Sequence, residues 1–187
     1  MLMNTHESRL DALRKQLKAQ SLDGFVIPIC DEHMSEYVGS YAQRLAWLTG
    51  FGGSAGTVAV FADATREPAA AIFVDGRYTL QVRDQVDGRL YAYESVPQTS
   101  VAKWLGANAR TGDRVGYDPW LHGKAWVAAT AKALEASGAE LVAVTGNPVD
   151  AVWADRPAPS PAPAIVHENR FAGESSEAKR AALSQWL

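Results

Sequence analysis

The sequence predicts an α/β fold, a three-layer mixed β-sheet flanked by helices, and three observations carry that expectation. Short runs rich in β-branched and aromatic residues, at 25–29, 57–61, 70–74, 114–117 and 141–144, alternate with stretches whose apolar residues recur at helical spacing. Two of the runs, 57–61 and 70–74, are separated only by a polar segment holding Asp63, Arg66, Glu67 and Pro68. They read as a hairpin, which makes the sheet mixed rather than purely parallel. The 187 residues are 47% hydrophobic and 21% charged, the balance of an ordinary globular chain that can bury a core.

Leu10, Leu13 and Leu17 mark one face of a first helix, with Ser8 and Asp11 in a capping-box-like arrangement at its start and Gly24 near its end. Phe25-Val26-Ile27-Pro28-Ile29 suits a buried strand that Pro28, which has no N–H to donate, ends or places at an edge. A polar loop begins at Cys30. Beyond the hairpin, Arg77–Val86 is expected as a helix capped by Asp75, and Arg89–Glu94 as a strand. Val101, Trp104 and Leu105 share a helix face, Arg114-Val115-Gly116-Tyr117 forms a strand, and Trp126, Ala129, Ala133 and Leu134 line a helix that Gly138 stops. Leu141-Val142-Ala143-Val144 is the last strand.

From Arg156 to Pro163 every second residue is a proline, which lacks an N–H and restricts its predecessor, so the segment is a stiff linker. Ser175 or Ser176 then opens a helical pattern through Leu183 and Leu187. The expected organisation is one domain over 8–155, a linker over 156–163 and the truncated start of a second domain over 164–187.

A formal charge of −3 and a pI near 5.8 argue against nucleic acid as a partner, because a duplex-binding face needs clustered Lys and Arg to displace phosphate counterions. No run approaches the ~18 consecutive apolar residues of a membrane span, so no membrane association is expected. The single cysteine, Cys30, has no intrachain partner, and the N-terminus is an amphipathic charged run instead of an apolar signal core. A cytoplasmic location follows as the expectation.

Three stretches hold candidate chemistry. Gly52-Gly53-Ser54-Ala55-Gly56 has the spacing of a serine-hydrolase elbow, with Asp118 and His122 or His167 downstream as triad partners. An elbow needs a strand before the serine and a helix after it, however, and here the strand follows. The same reversed order leaves Gly50, Gly52 and Ala55 without the helix N-terminus that would receive a pyrophosphate. A structural turn fits better.

Asp31-Glu32-His33-Met34-Ser35-Glu36-Tyr37 gathers three carboxylates and an imidazole into one loop. His33 and Glu36 are one helical turn apart, but a catalytic zinc needs three protein ligands and the other histidines, His6, His122 and His167, are scattered along the chain, so no metal is expected. A solvated loop and a contact loop stay equally open. In Asp75-Gly76-Arg77-Tyr78, Asp75 reads as a cap, Tyr78 as a core-edge aromatic, and Arg77 as the residue whose planar donor fork has binding capacity to spare.

Taken together, these stretches resemble the creatinase/prolidase N-terminal domain as found in aminopeptidase P. The matching pieces are Asp31-x-His33-x-Ser35-Glu36-Tyr37, Arg44, Thr49-Gly50-Phe51-x-Gly53-Ser54-Ala55-Gly56-Thr57, Asp75-Gly76-Arg77-Tyr78 with Gln81, Gly116-x-Asp118-Pro119, and Asn147-x-Val149-Asp150 with Trp153, Arg156 and Pro157. They keep order and spacing over most of residues 8–159. Phe171-Ala172-Gly173-Glu174-Ser175 and Lys179 are similar to the opening of the family's second domain.

The resemblance implies a metallopeptidase that removes the N-terminal residue preceding proline. In the family, two divalent metal ions, often manganese, are held by Asp, Asp, His, Glu and Glu of a C-terminal pita-bread domain. None of those ligands can be assigned in this sequence. The implied fragment therefore has no catalytic residue, binds no cofactor and is inactive alone. The resemblance further implies packing against its own catalytic domain and between the subunits of a homodimer. There Asp31, His33, Glu36, Arg44 and Arg77 would complete the rim of a site for proline-containing peptides. Tyr37, Tyr78, Gly53, Ser54 and Gly56 would position the loops. The alternative is a free-standing module that binds a small ligand with its Gly-rich loop; a complete module would not end in a lone amphipathic helix after a proline linker.

Overall fold

The structure, a computed structural model, describes residues 5–187. The first four residues of the N-terminal run lie outside them. Six strands form one sheet: β1 (Gly24–Pro28), β2 (Thr57–Phe61), β3 (Ala70–Val74), β4 (Ala92–Ser95), β5 (Arg114–Tyr117) and β6 (Glu140–Ala143). Around them lie α1 (Thr5–Ala19), α2 (Arg44–Thr49), α3 (Gln81–Gln85), α4 (Val101–Asn108), α5 (Lys124–Glu135) and α6 (Pro148–Val152). The segment beyond carries α7 (Asn169–Ala172) and α8 (Ser176–Trp186).

The strand order is β4-β3-β2-β1-β5-β6. β2 runs antiparallel to both β1 and β3, and every other pairing is parallel. The predicted hairpin and the mixed sheet are both present.

Because side chains alternate across a strand, each central strand feeds two cores. Phe25, Ile27, Val58, Val60, Ile72 and Val74 pack with Leu10, Leu13 and Leu17 of α1, Leu45 and Leu48 of α2, and Val149 of α6. Val26, Ala59, Phe61, Ala71 and Phe73 pack on the other face with Trp104 and Leu105 of α4 and Leu134 of α5. There the Trp104 ring stacks on Phe61 at 5.4 Å and meets Phe73 edge-on at 5.9 Å. Two helical layers around one sheet give the expected three.

Several boundaries differ from the sequence reading. Ser8 does not cap α1: it lies inside the helix, and its hydroxyl donates to the Thr5 carbonyl at 2.9 Å. That helix ends at Ala19, before Gly24, through a Schellman closure in which the Ser21 amide donates to Lys18 O and the Leu22 amide to Leu17 O. Ser21, at φ 55°, occupies the left-handed position usually given to glycine.

The helix expected over 77–86 is confined to Gln81–Gln85. Asp75 closes a turn instead of capping that helix: its carboxylate accepts the Arg77 amide at 2.9 Å, and its carbonyl accepts the Tyr78 amide at 3.0 Å. The polar loop after Cys30 holds a 3₁₀ turn at Ser40–Ala42 and then α2. Residues 157–187 bury no side chain, and the proline stretch has no regular secondary structure.

Candidate functional site

Strand direction determines which loops meet. Segments 29–43, 75–80 and 118–123 leave the C-terminal ends of β1, β3 and β5, while 50–56 enters the start of the reversed strand β2. All four therefore gather at one end of the sheet, and they contain every candidate site residue except Arg44, which opens α2.

The Gly-rich segment is shaped by packing. Gly50 ends α2 at φ 84°, where a β-carbon would be strained. A β-carbon on Gly53 would stand 2.4 Å from Phe51 Cζ and 2.9 Å from Tyr78 Cδ1. Glycine here lets Phe51 and Tyr78 meet edge-on at 5.6 Å.

That contact holds Tyr78 over the next residue. The Ser54 amide donates to the Tyr78 hydroxyl oxygen at 3.2 Å, the two hydroxyls lie 2.9 Å apart, and the Ser54 hydroxyl donates to Glu36 Oε1 at 3.1 Å. One proton assignment satisfies all three: tyrosine to serine, serine to carboxylate. Glu36, Ser54 and Tyr78, drawn from three separate loops, thus form one polar relay. Gln85 supports it from α3, its Oε1 accepting the Gly52 amide at 2.9 Å.

Asp31 is 5% exposed, and its Oδ1 accepts the amides of His33 and Ser35, both at 3.0 Å. Burial alone would raise its carboxyl, but those two amides outweigh burial and hold it below the usual range. The turn it closes places Met34 at φ 58°. Asp31 therefore shapes the loop, while Glu36 and His33 face outward.

The remaining candidates separate. His33 is on the surface, with Nε2 3.9 Å from Glu32. Arg77 is exposed and clasped by the Asp75 carboxylate, at 2.8 Å through Nη2, and its guanidinium lies over the Tyr78 ring at 5.1 Å. The hydrogen bonds to Asp75 keep it firmly protonated. Tyr37 is 81% exposed.

Arg44 is buried, and its fork grips Asp150 of α6 at 2.7 and 2.9 Å. Asp150 also pairs with Arg156 at 2.8 Å, and Arg156 Nε donates to Tyr41 O at 2.8 Å. Arg44 thereby fastens the α2 end of the loop to α6. The sequence contained Asp150 and Arg156 within the recognised pattern but gave no sign that they were its partners. Gln85 carried no signal.

Ser54 has no histidine beside it. His122 instead lies against Trp126 with ring centroids 4.0 Å apart and holds the Asp118 carbonyl through Nδ1 at 2.9 Å. Burial lowers its pKa and keeps it neutral. Cys30 is buried beside Met34, and burial pushes its thiol up to about 11. Among the described residues, no group of three or more His, Cys, Asp or Glu side chains is placed to hold a metal ion, and no helix is long and apolar enough to cross a membrane.

The Creatinase/Prolidase N-terminal domain family matches residues 9–152. The chain belongs to this family. It is 37% identical over 179 residues to Xaa-Pro aminopeptidase 2 of Homo sapiens, covering 95% of this chain and 26% of that protein. Identity is likewise 37% over 182 residues to a probable Xaa-Pro aminopeptidase P of Aspergillus clavatus, with the same coverages.

Among solved structures, the X-prolyl aminopeptidase of Caenorhabditis elegans, described as a cytosolic enzyme with a di-nuclear active site, superposes with a TM-score of 0.84 at 29% identity. The match covers 99% of this chain and 31% of that one. The N-terminal domain of the cytoplasmic peptidase PepQ of Mycobacterium tuberculosis superposes with a TM-score of 0.59 at 27% identity, over 78% of this chain and 98% of that one. The chain spans about a quarter of the length of the curated relatives it matches.

Proposed function

We propose that this creatinase/prolidase N-terminal domain is the non-catalytic domain of a metal-dependent Xaa-Pro aminopeptidase, and that its loop end completes the rim of the peptide site. The observation that carries the reading is the placement of exposed apolar residues. Within residues 5–156 the large hydrophobic side chains left in solvent are Met34, Tyr37, Leu80 and Trp120, all on loops at the end that bears Glu36, His33 and Arg77. Exposed apolar side chains gathered at one end with charges among them have the composition of a contact surface.

In this proposal the metal ions, two in number and manganese by family resemblance, are held by residues outside this chain and supply an activated water. This chain's residues orient the substrate. Glu36, its carboxylate already held by Ser54, offers its remaining acceptor capacity to the protonated amine of a peptide. Asp31 and Arg44 keep that loop in place, while His33 and Arg77, both exposed, are positioned to meet the catalytic domain or a second subunit of a cytoplasmic homodimer. Residues 164–187 begin the next domain.

The test compares the 187-residue chain with the full-length protein on an amino-acid–proline peptide in the presence of manganese. Cleavage by the full-length protein only is the expected result. Chelator-sensitive cleavage by the chain alone overturns the proposal.

A further inference from the structure

At the other end of the sheet a cavity of about 480 Å³ opens between α1, the 62–69 connection and the start of β4. Arg14, Arg66 and Arg89 line it together with Pro68, Leu90 and Tyr91. The three guanidinium groups are unequally satisfied. Arg66 is neutralised by two short bonds to Asp113, and Arg89 is clasped by Asp87.

Arg14 is not. Its side chain is only 12% exposed; among the described residues its one hydrogen bond runs from Nε to Phe61 O at 3.3 Å, and its nearest carboxylate, Asp11, stands 3.8 Å away. A guanidinium has five N–H donors, so a nearly buried one with a single long bond has its main donor capacity unspent. Beside it, the Tyr91 hydroxyl is buried without a hydrogen-bond partner among the described residues. Burial is the dominant influence on Arg14 and lowers its pKa, a cost that a bound anion would offset.

We propose that this cavity binds a small organic monocarboxylate, its oxygens on the Arg14 fork and its apolar body against Pro68 and Leu90. A single negative charge follows from the lining: two of the three arginines are already paired, and Glu67 on the same wall disfavours a multiply charged anion. The volume exceeds that of a lone inorganic ion and suits a ligand of amino-acid size.

The experiment titrates the isotopically labelled chain with benzoate, benzyl alcohol and inorganic phosphate at constant ionic strength, following backbone amide shifts. Benzoate should move Ala69, Ala70, Gly88 and Tyr91 saturably and bind at least ~10-fold more tightly than benzyl alcohol, which lacks the charge. Arg14→Met, which keeps the apolar stem, should abolish that preference. Should Arg14→Met unfold, Arg89→Gln at the exposed rim provides the second reading, with binding weakened by ~2–5-fold through loss of one nearby positive charge. Equal binding of the acid and the alcohol, tighter binding of phosphate, benzoate binding unchanged in a folded Arg14→Met, or, should that variant unfold, unchanged in Arg89→Gln, would each overturn the proposal.

Discussion

Arg66 and Asp113 face each other through paired hydrogen bonds of 2.6 and 2.7 Å, with each side chain only 8% exposed. The pair joins the connection between β2 and β3 to the residue just before β5. Burial alone would raise the Asp113 carboxyl, but the Arg66 fork and the Arg110 amide outweigh it and hold the pKa below its ordinary 3.8. A carboxyl lowered on folding contributes stability that is fully present above the unfolded pKa and is lost as pH falls through the folded value. The melting temperature should therefore lose this pair's contribution only below about pH 4. Asp113→Asn should cost ~3–5 kcal/mol at neutral pH, because it strands a buried guanidinium, and should flatten the acid limb. Thermal melts between pH 2.5 and 7 check both.

Gly53→Ala should destabilise the chain by ~1–3 kcal/mol, because the new methyl must displace the Phe51 ring and with it Tyr78. Denaturant unfolding gives the magnitude. Loss of the Ser54 amide protection from hydrogen exchange would show that the relay opened as well.

Glu36→Gln keeps the oxygen that accepts from Ser54 and removes the charge. Metal content and thermal midpoint of the full-length protein should stay nearly constant, with stability changed by no more than ~0.5 kcal/mol, while kcat/KM falls at least ~10-fold. An unchanged kcat/KM would reduce the loop to a solvated connection. Unfolding would make Glu36 a structural anchor.

Ser54, whose hydroxyl is engaged by Glu36 and Tyr78 with no imidazole to take its proton, should not react with a fluorophosphonate probe. Stoichiometric labelling abolished by Ser54→Ala would restore the hydrolase reading.

The strands were legible because buried β-branched runs of four or five residues have few other uses, and the central ones fall at 57–61 and 70–74 as expected. α2 and α6 were missed: at six and five residues they are too short to display a period. For α6 a signal did exist, since Asn147 followed by Pro148 is a cap and first-turn pair. The helix start at 77 failed because an Asp followed two residues later by a free amide satisfies turn and cap equally well, and only tertiary packing chooses. Within the site, the resemblance named Glu36, Ser54 and Tyr78 but could not join them, because their contacts span 18 and 24 residues. Arg44 was named for the rim, and its partner lies 106 residues away.

The anchoring of Arg156 has a mechanical consequence. Its guanidinium grips both Asp150 and the Tyr41 carbonyl, and it is the last such hold before the prolines begin. Tension along 157–163 is therefore delivered both to α6, through Asp150, and to the segment carrying Asp31 and Glu36, through the Tyr41 carbonyl. A pull on the proline stretch thus reaches α6 and the loop end of the domain together, and both would register it.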